Sequence, residues 1–134
     1  MSPILYLLDT NTVSYFLRAA YVQLDERLDK ARTSEVGVAA VTEAELLYGL
    51  AKNPSKMRKE LVEDFLRHAN VLAFDSRTAR VYAGLRSNLE KAGRPLAPFD
   101  LMIAANAIAA DATLITSDRA FAMVPDLRCE DWTK

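Results

Sequence analysis

The chain of 134 residues is poor in several things that whole functional classes require. Its single cysteine, Cys129, can close no internal disulfide, and with His68 as the one histidine there is no His/Cys set to hold zinc. A reducing, cytoplasmic setting is therefore expected. Four glycines and five prolines are too few for a collagen-like or low-complexity chain. No apolar run reaches the roughly 18 residues that span a bilayer. The stretch from Met1 to Leu8 meets Asp9 with no basic residue before it, so neither a signal peptide nor a membrane anchor is expected. An excess of positive charge is also missing. Seventeen Lys and Arg face eighteen Asp and Glu, a net charge of −1, so any polyanion would need a local basic surface.

What is present is a folding composition, 51% hydrophobic and 26% charged, in a length that suits one domain over residues 1–134. Short apolar runs at residues 3–8, 36–40 and 113–116 read as buried strands closed by polar clusters, and 70–74 reads as a fourth. Between them, Val13/Phe16/Leu17, Leu24/Leu28, Leu46/Leu47/Leu50, Leu61/Phe65/Leu66 and Val81/Leu85/Leu89 recur at three or four residues, the period of amphipathic helices. Asn53-Pro54 reads as a helix N-cap with Pro in the first turn, and Gly93 as a helix stop. Residues 101–110 are almost wholly apolar and predict a buried helix. Alternating strands and helices imply an α/β architecture with a mainly parallel sheet, whose functional groups gather beyond the carboxyl ends of the strands.

Four acids occupy that kind of position: Asp9 after the first strand, Glu45 in the helix after the second, Asp100 at the start of the buried helix, and Asp118 after residues 113–116. Each has a purely structural alternative. Asp9 and Asp118 could cap helices, Asp100 could complement a helix dipole, and Thr42-Glu43-Ala44-Glu45 fits a capping box in which Glu45 reaches back to Thr42. The coincidence of four favours a shared role. Two like charges about 4 Å apart repel by roughly 4 kcal/mol at an effective dielectric near 20, so a carboxylate cluster needs cations. Mg²⁺ or Mn²⁺, which take oxygen ligands and keep waters, suit it, and phosphoryl transfer is the chemistry they serve. Setting the four acids aside leaves fourteen against seventeen bases, a remainder of +3. Lys52, Lys56, Arg58 and Lys59 form a candidate rim for phosphates, with Arg86 and Arg94 as further RNA-binding candidates and Lys91 and Arg119 behind them. Asn11, Thr116 and Ser117 are candidates for orienting the acids, as is Thr10. Asn106, the one polar residue of an apolar run, needs a hydrogen bond inside, while His68 at a helix end has no nucleophile beside it.

Taken together, these residues resemble the PIN-domain ribonucleases, in particular the VapC toxins of bacterial toxin–antitoxin pairs. Leu7-Leu8-Asp9-Thr10-Asn11 looks like the family's first motif and Val41-Thr42-Glu43-Ala44-Glu45-Leu46-Leu47-Tyr48-Gly49 like its second. Pro98-Phe99-Asp100-Leu101-Met102-Ile103-Ala104-Ala105 is similar to the third and Leu114-Ile115-Thr116-Ser117-Asp118 to the fourth. The resemblance spans nearly the whole chain and implies a three-layer α/β/α fold with a central, mainly parallel sheet. It implies Asp9, Glu45, Asp100 and Asp118 as a metal-binding set for Mg²⁺ or Mn²⁺, and endonucleolytic hydrolysis of RNA, tRNA or another structured RNA. It also implies a homodimer and a cognate VapB-type antitoxin. Asn106 departs from the histidine and Ala120 from the acid that relatives often carry at those places.

Two other readings compete. Asp9-Thr10-Asn11-Thr12-Val13 nearly matches the signature of haloacid-dehalogenase-like phosphohydrolases, with Asp9 as nucleophile, but Asn11 stands where an acid must transfer a proton. The same scaffold could also serve as a non-enzymatic interaction module whose acids are only caps.

Overall fold

The computed structural model describes residues 3–134. Five strands, β1 (Tyr6–Leu8), β2 (Val36–Ala39), β3 (Asn70–Leu72), β4 (Thr113–Ile115) and β5 (Cys129–Glu130), form one sheet in the order β3-β2-β1-β4-β5. All pairings are parallel. Tyr6, Leu7 and Leu8 lie beside Val36, Gly37 and Val38 on one flank and beside Thr113, Leu114 and Ile115 on the other. The helices are α1 (Thr10–Leu17), α2 (Val22–Lys30), α3 (Ala40–Lys52), α4 (Lys56–His68), α5 (Ser76–Lys91) and α6 (Pro98–Ala109).

Period-two alternation within the three inner strands builds two cores. Leu7, Ala39 and Leu114 point to the face where α5 and α6 pack, joined by Leu85, Leu101, Ile103 and Phe121. Their neighbours Leu8, Val38 and Ile115 point the other way, to Val13, Leu24, Val62 and Trp132. The three inner strands are buried on both faces, which is why they read as continuous apolar runs rather than alternating ones. Close approach of β2 and β3 requires Gly37: a Cβ there would stand 2.9 Å from the Asn70 carbonyl oxygen and 3.2 Å from Ile4 Cγ2.

The expected strands and helices are all present, with shorter strands than the apolar runs. Ala40 belongs to α3 and Thr116 follows β4. Gly93, at φ +69°, stops α5 and donates its N–H to the Glu90 carbonyl. The expected Asn53-Pro54 cap is corrected: Asn53 ends α3, and Ser55 caps α4 by accepting from the Arg58 N–H at 3.4 Å. No helix among the described residues is long and apolar enough to cross a membrane.

The sheet order reverses at β1. One connection from its neighbourhood runs outward through β2 and the other through β4, so a crevice opens beyond the carboxyl ends of β1 and β4. The chain puts Asp9 immediately after β1 and Thr116 immediately after β4.

Candidate metal centre

Asp9 is fixed from three sides. It is the N-cap of α1, with Oδ1 accepting from the Thr12 N–H at 2.8 Å, and Oδ2 accepts the Thr116 hydroxyl at 2.5 Å. Its own N–H donates to the Ile115 carbonyl at 3.2 Å, and the Thr12 hydroxyl donates to that same carbonyl at 3.0 Å. The residue is 4% exposed. Asp9 is therefore a helix cap and a crevice acid at once: one oxygen pair caps the helix and reads the β4 end of the sheet.

Glu45 departs from the expected capping box. Thr42 is fully buried within α3 and Ala39 is the N-cap, so no box forms. Instead Glu45 Oε1 accepts the Thr10 hydroxyl at 2.7 Å, and Thr10 Oγ1 lies 3.1 Å from Thr42 Oγ1. A residue next to Asp9 thereby ties the second acid to the first. Asp100 sits in the first turn of α6, half-buried. Asp118, exposed, caps the 3₁₀ turn Arg119–Met123 through the Ala120 N–H at 2.9 Å, and its own N–H donates to Thr116 Oγ1 at 3.0 Å.

The electrostatics report that the four acids share a region. Burial pushes the Asp100 carboxyl above the ordinary carboxylate range, and the charges of Asp118, Asp9 and Glu45, in that order, push it further. Among the described residues none of the four enters an ion pair; the salt bridges use other acids, such as Glu130, Asp64, Glu90 and Asp111. No three Asp, Glu, His or Cys side chains among the described residues stand around one point at ligating distance. Glu45 is turned to Thr10 and Asp118 to the Ala120 amide. The donor set fits a hard dication nonetheless: it is all oxygen and anionic, without a basic neutraliser. Mg²⁺ keeps most of its waters and takes one or two carboxylates directly, so a ready-made cage of three is not required.

Of the residues expected to orient the acids, Thr116 bridges Asp9 and Asp118, whereas Asn11 and Ser117 are exposed and make no side-chain hydrogen bond among the described residues. Thr10 holds Glu45 rather than Asp9. Thr42, expected to partner Glu45 in a capping box, instead lies beside Thr10, while Thr12 was not singled out in the sequence, where its signal was the density of hydroxyls in Thr10-Asn11-Thr12 beside an acid. Asn106 is buried, with Nδ2 donating to the Ala73 carbonyl at 3.1 Å and Oδ1 without a partner. His68 is exposed at the end of α4, its Nδ1 2.9 Å from the Asp64 carbonyl.

The basic candidates divide. Arg58 lines a groove of 580 Å³ together with Glu45. Lys56 and Lys59 line a separate groove between α3 and α4 with Leu47 and Leu50, away from the acids, which corrects their grouping as one rim. Arg86 is engaged along α5 with the Tyr82 hydroxyl and Glu90. Lys52 and Arg94 are exposed at the ends of α3 and of the turn before α6. Asp118, Arg119 and Lys134 line a further groove of 230 Å³.

A buried Asp9 with both oxygens engaged is poorly placed as the nucleophile of a phosphohydrolase, and exposed Asn11 offers it no acid. The family profile described as PIN domain matches residues 6–127. The chain belongs to the PIN domain family. Within it, the chain stands with the VapC ribonucleases. It is 32% identical over 129 residues to the tRNA(fMet)-specific endonuclease VapC of Salmonella typhimurium, covering 95% of this chain and 97% of that one. It is 33% identical over 135 residues to ribonuclease VapC2 of Rickettsia felis, covering 97% and 99%. The solved complex VapBC2 of Rickettsia felis, bound to a DNA fragment from its promoter, superposes with a TM-score of 0.87 at 30% identity over 96% of this chain and 99% of that one. VapBC-1 of nontypeable Haemophilus influenzae gives 0.87 at 29% identity, covering 98% and 100%. The three-layer PIN fold and membership among the VapC ribonucleases, a family of toxin–antitoxin nucleases, follow from these likenesses together with the sheet order.

Proposed function

We propose that this VapC-type ribonuclease hydrolyses phosphodiester bonds of tRNA or another structured RNA in a reaction that depends on Mg²⁺ or Mn²⁺, with Asp9, Glu45, Asp100 and Asp118 as the metal-binding acids. One observation carries the reading. Asp9 follows β1, Asp118 follows β4, Glu45 lies in the second turn of α3 and Asp100 in the first turn of α6; the charges of the other three all bear on Asp100, on the side of the sheet where its order reverses, and none of the four enters an ion pair among the described residues. When bound among them, the cation supplies a Lewis acid that polarises the phosphodiester and activates a water.

The chain's own residues do the rest. Asp9, locked by the Thr12 amide and the Thr116 hydroxyl, is the rigid member that fixes where the charge sits. Glu45, held by a single hydroxyl, is free to turn without breaking the fold. Asp100 sits where burial and the charges of Asp118, Asp9 and Glu45 raise its carboxyl above the ordinary range, the kind of place where a bound cation would favour its carboxylate form. Arg58, on the groove that Glu45 shares, faces the path of the substrate backbone.

A cognate VapB-type antitoxin is the proposed partner, supported by structural neighbours that are VapBC complexes. A homodimer is proposed through α3 and α4, where Leu47, Tyr48 and Met57 are exposed apolar side chains. A monomeric mass in solution at micromolar concentration would remove the dimer. The test of the activity is cleavage of end-labelled total tRNA by purified protein with Mg²⁺ or Mn²⁺, beside EDTA and Asp9→Asn. Discrete products that require the cation and vanish with the variant support the reading. Identical patterns from wild type and variant leave an interaction module.

A further inference from the structure

We infer that Arg18 and Arg58 form a seat for the backbone phosphates of the RNA strand next to the bond that is cut. This deepens the proposed function and rests on it for the identity of the strand. The groove that holds Glu45 runs between α1, α3 and α4 and is lined by Thr10, Ser14, Leu17, Arg18 and Arg58 among others. Glu45 is the one of the four acids that lines it, and its hydrogen bond to Thr10, the residue after Asp9, joins the groove to the end of β1.

Arg58 comes from the first turn of α4, but its guanidinium lies across the α3 backbone at Gly49, where an added Cβ would stand 3.9 Å from Nη2. Gly49 is four residues after Glu45, so it lies on the same face of α3, one turn further on. Arg18, at the C-terminal end of α1, lines the same groove. Its guanidinium rests over the Tyr15 ring at 5.5 Å, and its Nε donates to the Ser14 carbonyl at 3.4 Å. Neither arginine has a carboxylate partner among the described residues, although the six ion pairs described engage Arg27, Arg32, Arg67, Arg86 and Arg128 as well as His68.

Two arginines that line one groove and have no carboxylate partner among the described residues are matched by phosphates, which guanidinium groups hold in bidentate fashion. The continuity with the carboxylates selects the polymer. A strand whose scissile phosphate lies at the acid cluster must lead its neighbouring phosphates along an adjacent groove, and this one begins at Glu45. An acidic peptide would meet the like charge of Glu45 on the same groove.

The test measures binding of fluorescein-labelled total tRNA across a KCl series in the Asp100→Asn background, where cleavage does not compete. Each backbone contact adds about 0.7 to the slope of log K against log salt on single strands. Arg18→Gln with Arg58→Gln is expected to lower the slope by about 1.4 and to weaken binding about tenfold per arginine at low salt. Arg18→Lys with Arg58→Lys should restore most of the slope, because the charge returns without the fork. Arg80→Gln, on exposed α5 away from the groove, is the control for simple loss of charge. In the catalytically intact protein the double Gln variant should raise KM far more than it lowers kcat.

A double Gln variant with the affinity and slope of Arg80→Gln overturns the inference and makes the groove a surface for protein. So does a parent protein that binds no tRNA. Wild-type cleavage with no role for the arginines fails the inference alone. No cleavage with any cation, but a slope that falls with the arginines, fails the nuclease reading and leaves the phosphate seat.

Discussion

Removing the hydroxyl of Thr116 tests how the crevice is held together before any chemistry occurs. Thr116 is 5% exposed and Asp9 4% exposed, so their 2.5 Å hydrogen bond joins a hydroxyl to a carboxylate away from water. Such charge-assisted bonds contribute about 2 kcal/mol net, and the 3.0 Å bond that Thr116 Oγ1 accepts from the Asp118 N–H, nearer the surface, adds about 1 kcal/mol. Thr116→Val keeps the shape and removes both, so it should destabilise the metal-free protein by about 3 kcal/mol, or roughly 12 °C in Tm for a chain of this size. Thr116→Ser keeps both bonds and loses one methyl group, about 0.8 kcal/mol. Calorimetry in EDTA separates the two. In an Asp9→Asn background the bond becomes neutral, and the cost of Thr116→Val should fall by about 1 kcal/mol, a coupling that a double-mutant cycle reads directly. A Val variant within 0.5 kcal/mol of the Ser variant would refute the claim that this hydroxyl fixes Asp9.

The remaining predictions concern charge and packing. Asp100→Asn should abolish cleavage while raising the stability of the metal-free protein at neutral pH, as read by urea melts in EDTA. Because the folded state holds the Asp100 proton more tightly than the unfolded chain does, its contribution makes stability fall as pH rises from the ordinary carboxylate value to the raised one. Wild type should show that fall and Asp100→Asn should not. Asp75 behaves oppositely. The Thr78 N–H and then the Thr78 hydroxyl hold its carboxylate below the usual range, so the cap of α5 weakens as pH drops below that range, and hydrogen exchange at the start of α5 should accelerate there and in Asp75→Ala. Gly37→Ala should cost about 1–3 kcal/mol in thermal unfolding, since the new methyl meets the backbone of β3 rather than a movable side chain.

Strands were legible because β1, β2 and β4 are buried on both faces and so appear as uninterrupted apolar runs ending in polar residues. Their order was not. Nothing local says that Leu7 pairs with Leu114, 107 residues away, as well as with Gly37. Of the acids, Asp9, Asp100 and Asp118 could be placed from the ends of elements, and Asp9 and Asp118 do cap, as their local patterns allowed. Glu45 was ambiguous because Thr42-x-x-Glu45 is a complete local pattern, while its competitor, Thr10, lies 35 residues away. A backbone amide inside α3 already has a helical partner, so the distant hydroxyl wins. The same limit explains Asn53, where Asn and Ser55 are both good caps and only the path of the chain chooses between them. The basic run after α3 looked like one rim since sequence adjacency hides helical rotation, which sends Arg58 to one groove and Lys56 and Lys59 to another.

The claim beneath all of this is that the carboxylate cluster exists to hold a dication. Titrating Mn²⁺ into the metal-free protein, with free Mn²⁺ followed by electron paramagnetic resonance, tests it without any assumption about the RNA. Wild type should remove Mn²⁺ from solution and gain thermal stability, about 2.7 kcal/mol at a hundredfold excess over Kd, while Asp9→Asn and Asp100→Asn should each bind far more weakly. Equal Mn²⁺ binding by wild type and both variants would contradict the claim and leave Asp9 and Asp118 as caps, Asp100 as a helix-dipole partner and Glu45 as the acceptor of the Thr10 hydroxyl.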